Sequence, residues 1–240
     1  MRSTITAGVL LGALVVSGAA PAKVLHQTMR VEQTLVHYEV VLPEPYDAQR
    51  AYPTILAFGG GPQTMDVVER LVERTFRDEA EKRGYIVVLP VAPDGELFFE
   101  EGARIFPAFL QQILSTYKVE DAKLLAAGPS NGGISAFYIA ARYPEFFRSI
   151  TAFPGFLPEP TPAQIRAIAG MCIHMFVGEF DELGFGQPMQ QEAEVFRRQG
   201  LALTYSTEKG QPHRIATLTG SGAARLFDLF DRDRHGCTRS

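Results

Sequence analysis

The sequence predicts an α/β fold: a mostly parallel, twisted sheet with helices on both faces. Three observations carry that expectation. Short apolar runs alternate with segments of helical periodicity along most of the 240 residues. No stretch rich enough in Pro, Gly and Ser to separate two domains interrupts them. One strand, Ala122 to Ala127, runs straight into the turn Gly128-Pro129-Ser130-Asn131-Gly132-Gly133 and then into a helix.

The elements follow in order. Gln27 to Gln33 and Val36 to Leu42 read as an antiparallel pair, ended by Glu44 and Pro45. Pro53 to Phe58 is a buried strand stopped by Gly59-Gly60-Gly61-Pro62-Gln63. Met65 to Arg83 is amphipathic, with Val68, Leu71, Val72 and Phe76 on one side and acids and arginines on the other. Tyr85 to Pro90 is the next strand, Glu101 to Tyr117 a helix, and Ala122 to Ala127 the strand before the serine turn. Ile134, Phe137, Tyr138 and Ala141 mark one face of the helix after that turn. Then come a strand at Ser149 to Phe153, a short helix at Pro162 to Ala169 and a strand at Cys172 to Val177. A helix at Met189 to Arg198, a last strand at Leu201 to Thr207 and a final helix from Ala223 to Arg232 complete the series.

Composition excludes several classes. A net charge of −4, with no basic run and no aromatic–basic interleaving, argues against nucleic acid as a partner. Hydrophobic residues at 46% and charged residues at 21% fit a globular protein rather than a disordered one. The first residues have their own logic. Met1-Arg2 is followed by an uncharged, mostly apolar stretch, Ile5 to Val16, and by the small-residue sites Ser17-Gly18-Ala19 and Ala20-Pro21-Ala22. That is the layout of a secretory signal peptide over residues 1–22, leaving a single domain over residues 23–240. The apolar stretch is short for a membrane span of ~20 residues. A secreted or periplasmic protein with no stable membrane span after cleavage is expected. No cysteine lies at the cleavage point, which argues against a lipid anchor through one.

Gly128-Pro129-Ser130-Asn131-Gly132 is a G-x-S-x-G sequence. On a strand-to-helix corner such a serine is strained, with its hydroxyl lifted clear of the sheet. The flanking glycines are needed because side chains there would strike neighbouring backbone. An ordinary glycine-rich turn is the competing reading. A serine hydroxyl needs a base within hydrogen-bond reach, and the base needs an acid to orient it. In this topology both follow the serine, acid first, on loops at the carboxyl ends of strands. Asp181, in Gly178-Glu179-Phe180-Asp181-Glu182, is the expected acid, with Glu179 and Glu182 as competitors. Of five histidines, His26 and His37 precede the serine, His174 lies inside a buried strand and His235 in the polar tail. His213 alone follows the last strand in a loop, and is the expected base. An oxyanion needs backbone donors. The N–H of Asn131 is one; Gly60 or Gly61 supplies the other, with Gly61 preferred, because Pro62 has no N–H.

These residues resemble the α/β-hydrolase superfamily, and within it the small secreted esterases of the polyhydroxybutyrate-depolymerase, feruloyl-esterase and acetylxylan-esterase type. Ser130-Asn131-Gly132-Gly133 followed by Tyr143-Pro144-Glu145-Phe146-Phe147 is the closest stretch, and Gly178-x-x-Asp181 and His213 also match. The likeness spans roughly Pro53 to His213. Two departures stand out: Gly59-Gly60 replaces the usual His-Gly, and Gln211-Pro212 precedes the histidine. The resemblance implies an α/β-hydrolase fold and a serine ester hydrolase needing no cofactor and no metal. Its substrate would be an ester-containing small molecule, or a side group on a polysaccharide or polyester. A serine peptidase, an acyltransferase and an inactive binding protein remain as alternatives.

Two further expectations concern the surroundings. Only Pro154 to Met171 separate two strands where a cap could be inserted, so no cap domain and an open site are expected, with Phe98, Phe99 and Phe156 as candidate apolar walls. Cys172 opens a strand at the sheet edge opposite the site, and the last helix returns Cys237 toward that edge. A disulfide between them is expected in an oxidising compartment, against the alternative of a buried free Cys172 and a tail thiol.

Overall fold

The computed structural model describes residues 22–237. The expected signal peptide lies outside the described residues except for Ala22. Eight strands form one sheet in the order β1-β2-β4-β3-β5-β6-β7-β8. They are β1 Lys23–Val31, β2 Thr34–Leu42, β3 Tyr52–Ala57, β4 Ile86–Pro90, β5 Val119–Gly128, β6 Phe147–Ala152, β7 Cys172–Phe180 and β8 Leu203–Pro212. β1 and β2 pair antiparallel and β2 joins β4 antiparallel. Every other ladder is parallel.

Side-chain alternation along the strands sorts the core into two layers. On one face Ile55, Ala57, Val87, Leu89, Leu125 and Ala127 pack under helices α1 (Met65–Leu71), α2 (Arg77–Arg83) and α7 (Ala224–Asp233). On the other, Leu56, Val88, Ala126, Ile150 and Ile173 lie against α3 (Ala108–Thr116), α4 (Asn131–Arg142), α5 (Pro162–Ile168) and α6 (Gly186–Arg198). Neighbouring residues such as Ile55 and Leu56 therefore serve opposite layers. That is why these strands read as continuous apolar runs.

Two predicted helices differ in detail. The segment from Met65 to Arg83 is helical throughout, but its middle, Val72–Phe76, widens into a π turn. The expected helix from Glu101 to Tyr117 is broken. A 3-10 turn covers Glu101–Ile105, and α3 starts only at Ala108. Phe106 is extended, at φ −93° and ψ 147°. Pro107 disfavours helical backbone in the residue before it, and helical periodicity alone does not register that break.

Between β6 and β7 only α5 intervenes, so no cap domain interrupts the fold there. Cys172 and Cys237 form a disulfide with Cα atoms 5.2 Å apart, joining the start of β7 to the chain just beyond α7. No helix among the described residues is long and apolar enough to cross a membrane.

Candidate active site

Ser130 sits where β5 turns into α4, at φ 57° and ψ −125°. L-residues avoid that conformation, and it persists only where the surroundings impose it. Three contacts do so. The Ser130 N–H donates to the Pro154 carbonyl at 2.7 Å, while the Ser130 carbonyl accepts from Gly133 and Ile134 at 2.8 and 3.1 Å. A Cβ at Gly132 would fall inside the Phe58 carbonyl, and one at Gly128 would strike the backbone of Gly132. The G-x-S-x-G spacing is thus a packing requirement between β3, β5 and α4.

Strand register delivers the two partners. Phe180 of β7 pairs with Pro212 of β8. The next residue on each strand, Asp181 and His213, therefore leaves the sheet side by side. His213 Nε2 lies 2.9 Å from Ser130 Oγ, and His213 Nδ1 lies 2.8 Å from Asp181 Oδ2. The Asp181 side chain is 2% exposed and the His213 side chain 8%. The other carboxylate oxygen, Oδ1, accepts from the N–H groups of Leu183 and Phe185. With both oxygens engaged, the carboxylate holds one orientation.

The competing carboxylates have different work. Glu182 accepts from the His213 N–H at 3.0 Å, and Glu179 accepts from the Gly210 N–H at 2.7 Å. Glu182 thus holds His213 by its own backbone, and Glu179 holds the end of β8 that leads into it. The His213 N–H also holds the Glu182 carboxyl below its ordinary range. His174 is the expected core histidine: buried, with Nε2 at 3.1 Å from both Asp233 oxygens.

The glycine loop lies across the serine. A Cβ on Gly60 would come within 3.6 Å of Ser130 Cβ. Gly61 has φ 52°, and its carbonyl accepts from Asn131 Nδ2 at 2.9 Å. The Asn131 N–H, at the first position of α4, has no carbonyl one turn back to bond to. Gly61 and Asn131 are thus brought together beside Ser130.

Sequence reasoning missed Gln63 and Phe185. Gln63 is fully buried. Its Nε2 donates to Ser135 Oγ at 2.8 Å, and its Oε1 accepts from the Phe98 N–H at 3.2 Å. It ties the glycine loop to the serine helix. A polar residue after three glycines looks like ordinary turn chemistry; only its burial marks it. Phe185 meets the His213 ring edge-on with centroids 4.8 Å apart, and Phe156 packs on Phe185 at 5.4 Å. Phe98 is not a wall of the site. It is fully buried, 5.5 Å from Phe58 and 5.8 Å from Phe106, in the core beneath.

No family model matches the sequence, and no curated protein matches it. Solved structures match the fold closely. A thermostable esterase superposes with a TM-score of 0.69 at 14% identity, over 90% of this chain and 63% of its own. A putative dipeptidyl aminopeptidase IV from Bacteroides ovatus gives 0.68 at 16%, over 91% of this chain and 36% of its own. A ferulic acid esterase gives 0.67 at 17%, over 90% and 99%. The chain therefore spans less than two thirds of the first two. With the strand order above, these likenesses establish an α/β-hydrolase fold.

Proposed function

We propose that this chain is a serine carboxylic ester hydrolase. The observation that carries the reading is the aligned pair of contacts through His213, 2.9 Å to Ser130 Oγ and 2.8 Å to Asp181. His213 removes the Ser130 proton as Oγ attacks the ester carbonyl. Asp181 holds the imidazole tautomer and stabilises its cation. The N–H groups of Gly61 and Asn131 receive the oxyanion, a role worth about 3 kcal/mol per donor. Protonated His213 passes its proton to the departing alcohol. Water, deprotonated by His213, then cleaves the acyl-serine and restores the site.

The short β6–β7 connection supports an open site that accepts a small ester or an ester side group on a polymer. Phe180 and Leu183, exposed at 64% and 63%, flank Asp181 and offer apolar surface to such a substrate. The disulfide supports an exported protein, secreted or periplasmic.

A serine peptidase is the second reading, because the peptidase-type match shares the fold as well as the esterases do. Fold alone does not choose between them. A panel of p-nitrophenyl esters and peptide p-nitroanilides does, with turnover expected on short-chain or aromatic esters and little on amides. A fluorophosphonate probe should label the protein, and Ser130→Ala should abolish both labelling and turnover. Labelling that survives this substitution refutes the assignment.

A further inference from the structure

We propose that His26, Glu39 and Glu69 form a binding site for a divalent transition-metal cation of the Zn²⁺ type, on the sheet face covered by α1. The three residues are far apart in sequence and carry no metal-ligand spacing. Strand register joins the first two, because His26 of β1 is the direct partner of Glu39 of β2. Glu69 reaches over them from α1. His26 Nδ1 lies 3.2 Å from Glu39 Oε1, and His26 Nε2 lies 3.9 Å from Glu69 Oε1. One donor atom from each residue can be chosen so that all three lie within 4.8 Å of one another.

A buried oxygen separates this cluster from an ordinary surface group of acids. Glu39 is only 4% exposed, and its Oε2 is buried without a hydrogen-bond partner. A carboxylate so placed is costly unless something positive engages it. Glu69 and Glu73 place further carboxylates beside it, with His26 opposite. The site opens to a cleft lined by these four residues with Val24 and Val72. Glu73 already pairs with Arg77 at 2.7 Å, so it borders the site rather than completing it.

Ligand chemistry selects the ion. Neutral imidazole with two carboxylates leaves a charge of −2 for a divalent cation to balance. Mg²⁺ and Ca²⁺ favour sites built of oxygen alone, whereas imidazole suits Zn²⁺, Co²⁺ and their neighbours. Bonds of about 2.0–2.2 Å in a tetrahedron put donors roughly 3.4 Å apart. The His26–Glu39 separation already matches one such edge. Glu69, whose side chain is 52% exposed, closes the others by rotation. A fourth position faces the cleft, open to water. Bound metal would staple the β1–β2 hairpin to α1.

The test uses the chelator-treated full chain, with Zn²⁺ for calorimetry and Co²⁺ for absorption. One ion per chain is expected, with a rise of several degrees in melting temperature and visible Co²⁺ bands of nitrogen–oxygen coordination. His26→Ala and Glu69→Gln change half-exposed side chains, so both variants should fold, and each should weaken binding at least tenfold. Absence of stoichiometric binding to the native chain would overturn the proposal. So would affinity unchanged in either variant, which would place the ion elsewhere or leave that residue out of the ligand set.

Discussion

Gln63 Nε2 donates to Ser135 Oγ across 2.8 Å of buried space, between residues 72 apart in the chain. Ser135 lies one turn into the helix that Ser130 opens. Gln63 lies two residues past Gly61, so this bond ties the helix that begins at Ser130 to the glycine loop.

Gln63→Ala should therefore lower kcat by about 10- to 100-fold while KM changes little, because a misplaced donor loses transition-state contact rather than substrate affinity. It should also cost about 1–3 kcal/mol of stability, chiefly through the buried Phe98 N–H left without its acceptor, since Ser135 Oγ keeps its bond to the Asn131 carbonyl. Steady-state kinetics on a p-nitrophenyl ester, with a denaturant melt alongside, measures both. A folded variant with native kcat would remove Gln63 from any positioning role.

The two downstream buried histidines should separate cleanly. Under the proposed Ser130–His213–Asp181 triad, His213→Ala should reduce turnover about 10⁴-fold or more, since members of such a triad act as a unit. His174→Ala instead leaves Asp233 as a buried, unpaired carboxylate and should destabilise by about 3–5 kcal/mol. Its folded fraction should still react with a fluorophosphonate at the native rate. Loss of that reaction in folded protein would transfer the base to His174.

Glu192 gives stability a pH dependence. Burial pushes its carboxyl up to about 8, although both oxygens accept from the Leu157 N–H. The ordinary value is 4.5, so the folded chain keeps a proton that the unfolded chain releases. The stabilisation is complete below about pH 4.5 and is lost as pH rises through about 8, on the order of a few kcal/mol. Urea midpoints at pH 5, 7 and 9 should fall in that order, and Glu192→Gln should flatten the slope. An equal slope in the variant would assign the effect to other groups. Glu192 anchors the segment that supplies the Pro154 carbonyl to Ser130, so activity above pH 8 should also become more heat-sensitive.

The disulfide closes a loop 65 residues long. Chain entropy assigns such a cross-link about 4 kcal/mol. Cys237→Ser should lower the urea midpoint accordingly, without changing kcat at low temperature. Mass spectrometry of a non-reduced digest should show the Cys172–Cys237 peptide pair; two free thiols in protein secreted under oxidising conditions would contradict it.

The sequence by itself determined what depends on chain neighbours and on order. Apolar runs and helical spacing specified the strands and most helices. Gly128 and Gly132 around Ser130 specified the turn, because bulk at either is forbidden by atoms a few residues away or on the adjoining strand. The order Ser130, Asp181, His213 followed from the way a parallel sheet gathers strand ends along one edge. Tertiary structure alone decided what depends on register and burial. The pairing of Phe180 with Pro212 sets Asp181 beside His213, while Glu179 and Glu182 hold the end of β8 and the His213 backbone. Burial makes Gln63 a strut, sends Phe98 to the core and leaves a Glu39 oxygen without a partner. The cross-strand match of β1 with β2 brings His26 to Glu39. A single chain position carries no record of which distant residue it will face. Such contacts form only once the sheet has paired and excluded water, when polar groups must find partners or remain unsatisfied.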